Sequence, residues 1–333
     1  MGEQVTIVHL AFIIVFSVFV QSACSILSKM SQVDGNYEYS VPVSNFAIEI
    51  VKFAVASTLF YTRTPAPDRN RQLSTFFHSR RDIVFFAIPS LIYVCVNITY
   101  MIMFIFTDPG TAQMLVNFKL ITTAVLSEIV FAKLLSRPQW LSLIMTFVGL
   151  ALTSWPMSGK SFESDIVISF ALAFAFSVFS ACAGVSCEYV FKRTDYSLHM
   201  QNSVMYFYGA VISLITAAVA DPSVVLNPFA GFNTYAILLV LMRAVSGLLI
   251  SAVMKYADTI TKNFCSAASL CATVILSKLI FDVPIVAQKS FAIIIIFNAM
   301  LLYGIPESKA PVPAVEHRKV EKVDLSDCEE NAV

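Results

Sequence analysis

Long apolar runs separated by short polar segments dominate the pattern of this chain of 333 residues. Each run is about 20 residues long, enough for an α-helix to cross the hydrocarbon core of a bilayer. In lipid the backbone must satisfy its own hydrogen bonds, so the runs predict helices and not strands. Ten spanning helices are predicted, at residues 5–27, 40–62, 84–106, 110–132, 138–158, 166–191, 200–220, 234–256, 260–281 and 285–305.

The composition agrees with an all-α membrane protein. Hydrophobic residues make up 57% of the chain and charged residues only 13%, with a mean hydropathy of +0.75. Ordinary globular domains carry about a quarter charged residues. A soluble globular protein is therefore excluded.

Basic residues are distributed unevenly between the two sets of connecting loops. The loops after odd-numbered spans hold only Lys29 and Lys160. Cytosolic loops carry the excess of lysine and arginine, so the richer set is predicted to be cytosolic. With ten spans, both termini then lie in the cytosol as well. The richer set, after the second, fourth and sixth spans, comprises Arg63, Arg69, Arg71, Arg80, Arg81, Lys133, Arg137, Lys192 and Arg193.

The two halves of the chain are alike at one place. TAVLSEIVF at 123–131 aligns without a gap on TVILSKLIF at 273–281, each near the end of the fourth helix of a five-helix half. A unit of five helices is odd, so two copies must insert with opposite topology, as in many secondary transporters. We therefore predict two inverted five-helix repeats, at 1–158 and 159–305, followed by a polar, disordered cytosolic tail at 306–333.

Several charges fall inside predicted spans, where they are costly and therefore functional candidates. Lys119 lies about 14 Å into the fourth span, too deep for its ammonium to reach either surface comfortably. Arg243 lies at a similar depth in the eighth span with no carboxylate one turn away, so protein or substrate elsewhere must neutralise it. Glu49 and Lys52 share a face of the second span and are predicted to form a structural charge pair. Glu188, at the cytosolic end of the sixth span, is interpreted as a solvated charge.

The connection between the eighth and ninth spans, VMKYADTITKNF at 253–264, places two lysines around an aspartate. Asp258 is three residues after Lys255 and four before Lys262, so it can neutralise one lysine while the other stays free. With Lys119 deeper, these lysines would form a basic path for an anionic substrate such as a phosphate ester. Interfacial snorkelling is the alternative, and Lys262 is the lysine expected to point inward. We predict that Asp258 pairs with Lys262 when no substrate is bound.

Nothing in the sequence indicates a metal, a cofactor or an enzyme. The chain has no HExxH, no GxGD and no paired Asp-rich motif of the kind that binds prenyl diphosphates. Its seven cysteines lack paired spacing and are interpreted as small apolar packing residues, not as a disulfide or metal framework. These residues are Cys24, Cys95, Cys182, Cys187, Cys265, Cys271 and Cys328.

Several stretches run in a fixed order between about residues 8 and 305. They are EIVK in the second span, FKLITTAVLS followed by LSRPQWLSL, AGVSCEYVFK closing the sixth span, and KYAD with a lysine four residues on, in SGLLISAVMKYADTITKNF. Together they resemble the nucleotide-sugar transporter family, in its CMP-sialic acid and UDP-galactose transporter group. The resemblance implies ten helices in two inverted halves. It also implies exchange of a cytosolic nucleotide sugar for a luminal nucleoside monophosphate in the Golgi or endoplasmic reticulum.

The candidate substrate-binding residues come from two sources. Their charges alone make Asp258, Lys255 and Arg243 candidates. The family pattern adds Lys119 and Lys262 on the phosphates, Asn97 and Asn202 on the nucleotide, and Tyr93 and Gln113 in the pocket wall.

The chain departs from the family pattern at several positions. Ala112 and Val116 stand where tyrosines are frequent, and QNSV at 201–204 replaces the usual Arg-Asn-x-Gln. Thr259 stands at the motif asparagine, and Arg243 replaces a residue that is usually uncharged. The phosphate-binding lysines are kept while the surrounding walls change, so the resemblance does not specify the base or the sugar.

The expected function is that of an antiporter in the Golgi membrane that exchanges UDP-galactose or UDP-N-acetylglucosamine for UMP and supplies glycosyltransferases. The expected partners are the nucleotide sugar, the monophosphate and the bilayer, with self-association or binding to Golgi glycosyltransferases, and no nucleic acid. Two alternatives stay open, a CMP-sialic acid/CMP antiporter and a non-transporting scaffold or chaperone-like relative. Retention of both phosphate-matching lysines argues against the second.

Overall fold

Helices make up nearly all the regular structure of the computed structural model, which describes residues 7–34, 36–106, 112, 115–132, 134–154, 166–220 and 227–304. Gln113 and the predicted tail lie outside the described residues. Eleven helices are found within them: α1 (Ile7–Met30), α2 (Val41–Arg63), α3 (Ala66–His78), α4 (Arg80–Phe106), α5 (Lys119–Phe131), α6 (Arg137–Ser154), α7 (Ile166–Arg193), α8 (Leu198–Ala220), α9 (Thr234–Tyr256), α10 (Thr259–Phe281) and α11 (Ala287–Tyr303).

All of these helices except α3 coincide in order with predicted spans. Within the described residues, seven helices are long and apolar enough to cross a bilayer, namely α1, α2, α4, α7, α8, α9 and α10, and α11 is a shorter apolar helix. The chain is therefore an all-helical, multi-pass membrane protein. The count of ten spans and their inverted repetition stay predictions.

The helix α3 is the element that hydropathy missed. A loop was predicted over 63–82, but α3 begins directly after Pro65 and has a second proline in its first turn, where the fixed φ of proline suits a helix start. Most of its residues are polar, and only Phe76 is buried. That ring packs edge-to-face against Phe86 and Tyr196. A single buried residue gives no hydrophobic periodicity in the sequence, so α3 could not be predicted from the pattern and is seen only in the packed structure.

Hydrogen bonds tie α3 and the start of α4 to the loop between α7 and α8. The amide of Ser197 donates to Oε1 of Gln72 at 2.9 Å, and the hydroxyl of Tyr196 donates to the Asp82 carboxylate at 2.6 Å. Burial and this hydrogen bond raise the pKa of Tyr196 above its ordinary value. The hydroxyl is therefore protonated, and a donor, at neutral pH.

The helices of the two predicted halves pack mainly against each other. The pairs in most extensive contact are α2 with α8, α4 with α7, α6 with α11, α1 with α9, α5 with α7, and α1 with α10. Polar side chains of α2, α4, α5, α7, α8, α9 and α10 therefore meet in the interior between the halves.

Candidate functional site

The described part of α5 begins at Lys119, in a tightened turn. The amide of Phe118 donates to the carbonyl of Leu115, and that of Leu120 donates to Asn117, each at 3.0 Å and three residues back. Such 3₁₀ stretches within a longer helical run often mark functional points. Lys119 therefore lies at a local distortion of the predicted fourth span.

Lys119 and Lys262 come together from α5 and α10. The charge of Lys262 acts on Lys119, and each side chain is partly buried. The Nζ atom of Lys262 lies 3.4 Å from the place that a Cβ on Gly184 would occupy, so the ammonium lies against α7. Neither lysine forms an ion pair with another described residue. Two like charges repel in a low-dielectric interior, and an anion between them would stabilise both.

Glu49 and Lys52 form the predicted ion pair, with 2.5 Å between Nζ and Oε1. The pair packs against glycines of two other helices. A Cβ on Gly209 of α8 would stand 2.7 Å from Oε2 of Glu49, and one on Gly247 of α9 would stand 2.6 Å from Cδ of Lys52. Lys52 also lies over the ring of Tyr206, 4.4 Å from its centroid. The pair is therefore fixed inside the bundle, between α2, α8 and α9.

Cys187 connects the lysines to this charge pair. Its thiol shares a hydrogen bond with the hydroxyl of Tyr93, and the charges of both Lys262 and Lys52 act on it. Tyr93 is in turn within the field of Glu49. Cys187 packs in an apolar core cluster, as the sequence predicted, and the fold in addition brings these polar groups to its thiol.

Asn202 lies at the α8 side of the same interior. Its Nδ2 donates to Oγ of Ser251 at 2.8 Å, whereas its Oδ1 is buried with no hydrogen-bond partner in the described part of the chain. The neighbouring Tyr206 hydroxyl donates to the carbonyl of Gly247 at 3.0 Å. A buried acceptor without a donor costs free energy, so a donor is expected to reach Asn202 in a loaded state.

Lys255 and Asp258 make contacts other than the expected pairing of Asp258 with a lysine. The ammonium of Lys255 donates to Oε1 of Gln201 at 2.8 Å and to the carbonyl of Tyr196 at 3.2 Å, which joins the ends of α9 and α8. The Asp258 carboxylate caps α10 by accepting from the amide of Thr261 at 2.6 Å. The expected ion pair between Asp258 and Lys262 is not among those that the described residues form.

Glu188 supplies the carboxylate that faces this region instead. It was interpreted as a solvated charge at a helix end, but it is only 2% exposed, and its charge acts on Lys262. One Glu188 oxygen accepts from the amide of Thr259 at 2.7 Å, and the other is paired with Lys192, also at 2.7 Å. Lys192 donates in addition to the carbonyl of Ala257 at 2.5 Å. Glu188 and Lys192, which we call the α7 clasp, thus bind backbone groups on both sides of the break between α9 and α10.

A cavity of about 170 Å³ opens beside the α7 clasp. Its walls come from the ends of α5 and α7, the α9–α10 break and the end of α11. The hydroxyl of Ser127 in its wall is buried without a hydrogen-bond partner among the described residues. The lining residues are Ser127, Phe131, Leu135, Glu188, Lys192, Ala257, Asp258, Ile260 and Tyr303.

The other expected site residues are spread more widely. Asn97 lies one helical turn from Tyr93 on α4 and is exposed. Ala112 and Val116, expected in the pocket wall, are instead buried in an apolar cluster between α4 and α7. Arg243 is exposed on α9.

The fold and the interior charges define a class, a multi-pass membrane protein with charged side chains between its helices. The chain belongs to the nucleotide-sugar transporter family, which it matches over residues 6–304. It is 30% identical over 315 residues to CMP-sialic acid transporter 2 of Arabidopsis thaliana, covering 91% of this chain and 77% of the relative. It is 29% identical over 265 residues to CMP-sialic acid transporter 2 of Oryza sativa subsp. indica, covering 78% and 74%.

A solved crystal structure shares this fold. The TM-score is 0.68 at 12% sequence identity, and the match covers 89% of this chain and 96% of the other. At that identity the likeness concerns the fold alone.

Proposed function

We propose that this protein is an antiporter that carries a pyrimidine nucleotide sugar from the cytosol into the Golgi lumen in exchange for the nucleoside monophosphate. It performs no catalysis of its own. The observation that carries the proposal is the meeting of Lys119 and Lys262 without an ion-pair partner among the described residues. Both substrates of such an exchange bring phosphate to this point, and lysine binds phosphate as a compact point charge.

The inverted repeat is part of the proposal, because exchange across a membrane needs two related ways of opening. In the predicted repeat, each helix of the first half has an equivalent helix in the second half. The equivalent pairs are α1 and α7, α2 and α8, α4 and α9, α5 and α10, and α6 and α11. Inverted repeats are related by an operation that exchanges the two members of every pair. The pair α1–α9 then becomes α4–α7, and α1–α10 becomes α5–α7, while α2–α8 and α6–α11 return to themselves. The packing therefore supports two related halves.

A backbone detail gives independent support for the repeat. The similar segments at 123–131 and 273–281 are each followed by a residue in the left-handed region, Ala132 with φ 50° and Asp282 with φ 52°. Positive φ is uncommon for residues other than glycine, and Asp34 is the only further case among the described residues. The two segments thus share an unusual helix end as well as a sequence.

The orientation follows from the charge distribution, with α3, the tail and the N-terminus in the cytosol. Reporter tags placed after residue 333 and within α3 should be accessible from the cytosolic side of intact vesicles, and protease added outside should remove them. A tag at residue 333 that is protected until the vesicles are opened would contradict the orientation.

Two substrate candidates follow from different observations. The sequence led to UDP-linked sugars, with UMP as the returning ligand. The names of the relatives, CMP-sialic acid transporters, favour CMP-sialic acid with CMP. Both are pyrimidine nucleotides linked to a sugar, so the phosphate site is the same for each.

Exchange in proteoliposomes tests the function and separates these candidates. Vesicles holding the full chain are preloaded with UMP, CMP or GMP, and uptake of labelled nucleotide sugars is measured. We expect uptake to be stimulated by one pyrimidine monophosphate and not by GMP. Stimulation by CMP alone would select CMP-sialic acid, and stimulation by UMP alone would select UDP-sugars. Absence of exchange with every nucleotide would favour the non-transporting scaffold.

A further inference from the structure

Arg243 faces the interior of the bundle although it is exposed. Its helix, α9, shows a band of exposed apolar residues comprising Ile237, Leu238, Leu241 and Val245. At 3.6 residues per turn, Arg243 lies about 170° around the helix from the middle of this band. The exposed surface of Arg243 therefore belongs to an opening inside the protein and not to the lipid face.

Two neighbours locate the guanidinium within this opening. Gly247 follows one turn later on the same face, and its Cα packs against the Lys52 side chain. The charge of Arg243 also acts on the buried thiol of Cys24 in α1. Arg243 thus lies between α1 and the pair formed by Glu49 and Lys52.

The charge of Arg243 has no protein partner in the described part of the chain. Glu49, whose partner Lys52 packs against Gly247 on this face, is already bonded to that lysine at 2.5 Å. An arginine about 14 Å from the start of a spanning helix is costly unless something neutralises it. A substrate anion that binds and dissociates in each transport cycle would neutralise the charge of Arg243 while it is bound.

We propose that Arg243 binds the carboxylate of an acidic sugar that carries this group away from its anomeric carbon, as a uronic acid does, so that the transported nucleotide sugar is anionic at both ends. This inference rests on the proposed function and narrows its substrate. Lys119 and Lys262 take the phosphates, and the group of Tyr93, Cys187 and Lys52 separates them from Arg243. The planar guanidinium matches a carboxylate by two parallel hydrogen bonds. Neutral sugars offer no such partner.

The test compares ligands that differ only in this carboxylate. Full-length protein is reconstituted in uncharged lipids, so that no lipid headgroup can supply the anion. UDP-glucuronic acid and UDP-glucose compete against exchange of labelled UMP. The wild type should prefer UDP-glucuronic acid by about tenfold to a hundredfold.

Substitution at Arg243 should remove this preference. Arg243→Gln should bring the ratio of the two half-inhibition concentrations close to one, and Arg243→Lys should keep part of it. Leu241→Ala, on the lipid-facing side of the same helix, is the matched control and should keep the wild-type ratio. Thermal stabilisation of the purified variants by the same ligands gives a second readout that does not require transport.

Specific results would overturn the inference. A wild type that exchanges nucleotides but binds UDP-glucuronic acid and UDP-glucose equally, or that accepts only CMP-linked ligands, would exclude this carboxylate site. The same holds if Arg243→Gln weakens acidic and neutral ligands by the same factor. A wild type that exchanges no nucleotide at all would instead overturn the proposed function, and this inference with it.

Discussion

Replacing Lys262 by alanine should raise the substrate concentration for half-maximal exchange by about tenfold to a hundredfold, or abolish exchange. The loss corresponds to a charge-assisted contact with phosphate of about 1.5–3 kcal/mol. The geometry supports this role, because Lys262 meets Lys119 in the interior and makes no ion pair with a described residue. Initial exchange rates at varied substrate concentration, normalised for the amount of inserted protein, measure the effect.

Lys255→Ala is the matched control, seven residues earlier in the same segment. Its ammonium bonds to Gln201 and to the carbonyl of Tyr196, so its loss should lower the yield of folded protein and leave the substrate dependence near wild type. Equal losses of transport in the two variants, with the same substrate dependence, would contradict this division of roles.

Replacing Glu49 by leucine should destabilise the folded protein by about 3–5 kcal/mol, because it leaves a largely buried ammonium without its counter-charge. The side chain of Lys52 is only 12% exposed and that of Glu49 only 21%. A reversible unfolding titration in mixed micelles measures the free energy of unfolding. The double variant Glu49→Leu with Lys52→Met should recover much of the loss, since no unpaired charge is then buried.

The chain provides its own comparison for this effect. Lys278 and Asp282 form an ion pair of the same length, 2.5 Å, but their side chains are 45% and 91% exposed. Lys278→Ala should therefore cost only about 0–1 kcal/mol. If Glu49→Leu and Lys278→Ala lower the free energy of unfolding by the same amount, burial is not the reason for the strength of the Glu49–Lys52 pair.

Hydropathy predicted most of the fold because the bilayer imposes a length and an apolar composition on each span. The boundaries of α2, α7, α9 and α10 agree with the predicted runs to within a few residues. The same reasoning could not find α3, whose polar sequence buries only Phe76. Its position depends on rings contributed by α4 and by the loop after α7, which no local pattern encodes.

The site was predictable where a charge lay deep in a span and not where its partner came from another helix. Lys119 and the Glu49–Lys52 pair could be identified by depth and spacing. Glu188 was misread as solvated because a position near a helix end suggests water, whereas α10 packs over it. Asp258 was expected to neutralise a lysine, but its amide-capping role follows from the start of α10 directly behind it. Spacing along the sequence predicts which side chains of one helix can contact each other. Which of these contacts form depends on the packing of neighbouring helices.

The reversal between α9 and α10 contains Ala257 and Asp258, with neither glycine nor proline. The Asp258 cap favours a helix start at this point, and an uninterrupted helix would also be about twice as long as the bilayer is thick. In that helix the Ala257 carbonyl and the Thr259 amide would bond within the helix, so the α7 clasp stabilises only the interrupted form. Because α7 precedes both helices in the chain, it is synthesised before them and is present when the turn must form. The stability of this reversal therefore depends on Lys192 and Glu188 as well as on the Asp258 cap, and Lys192 lies 65 residues before the carbonyl to which it donates.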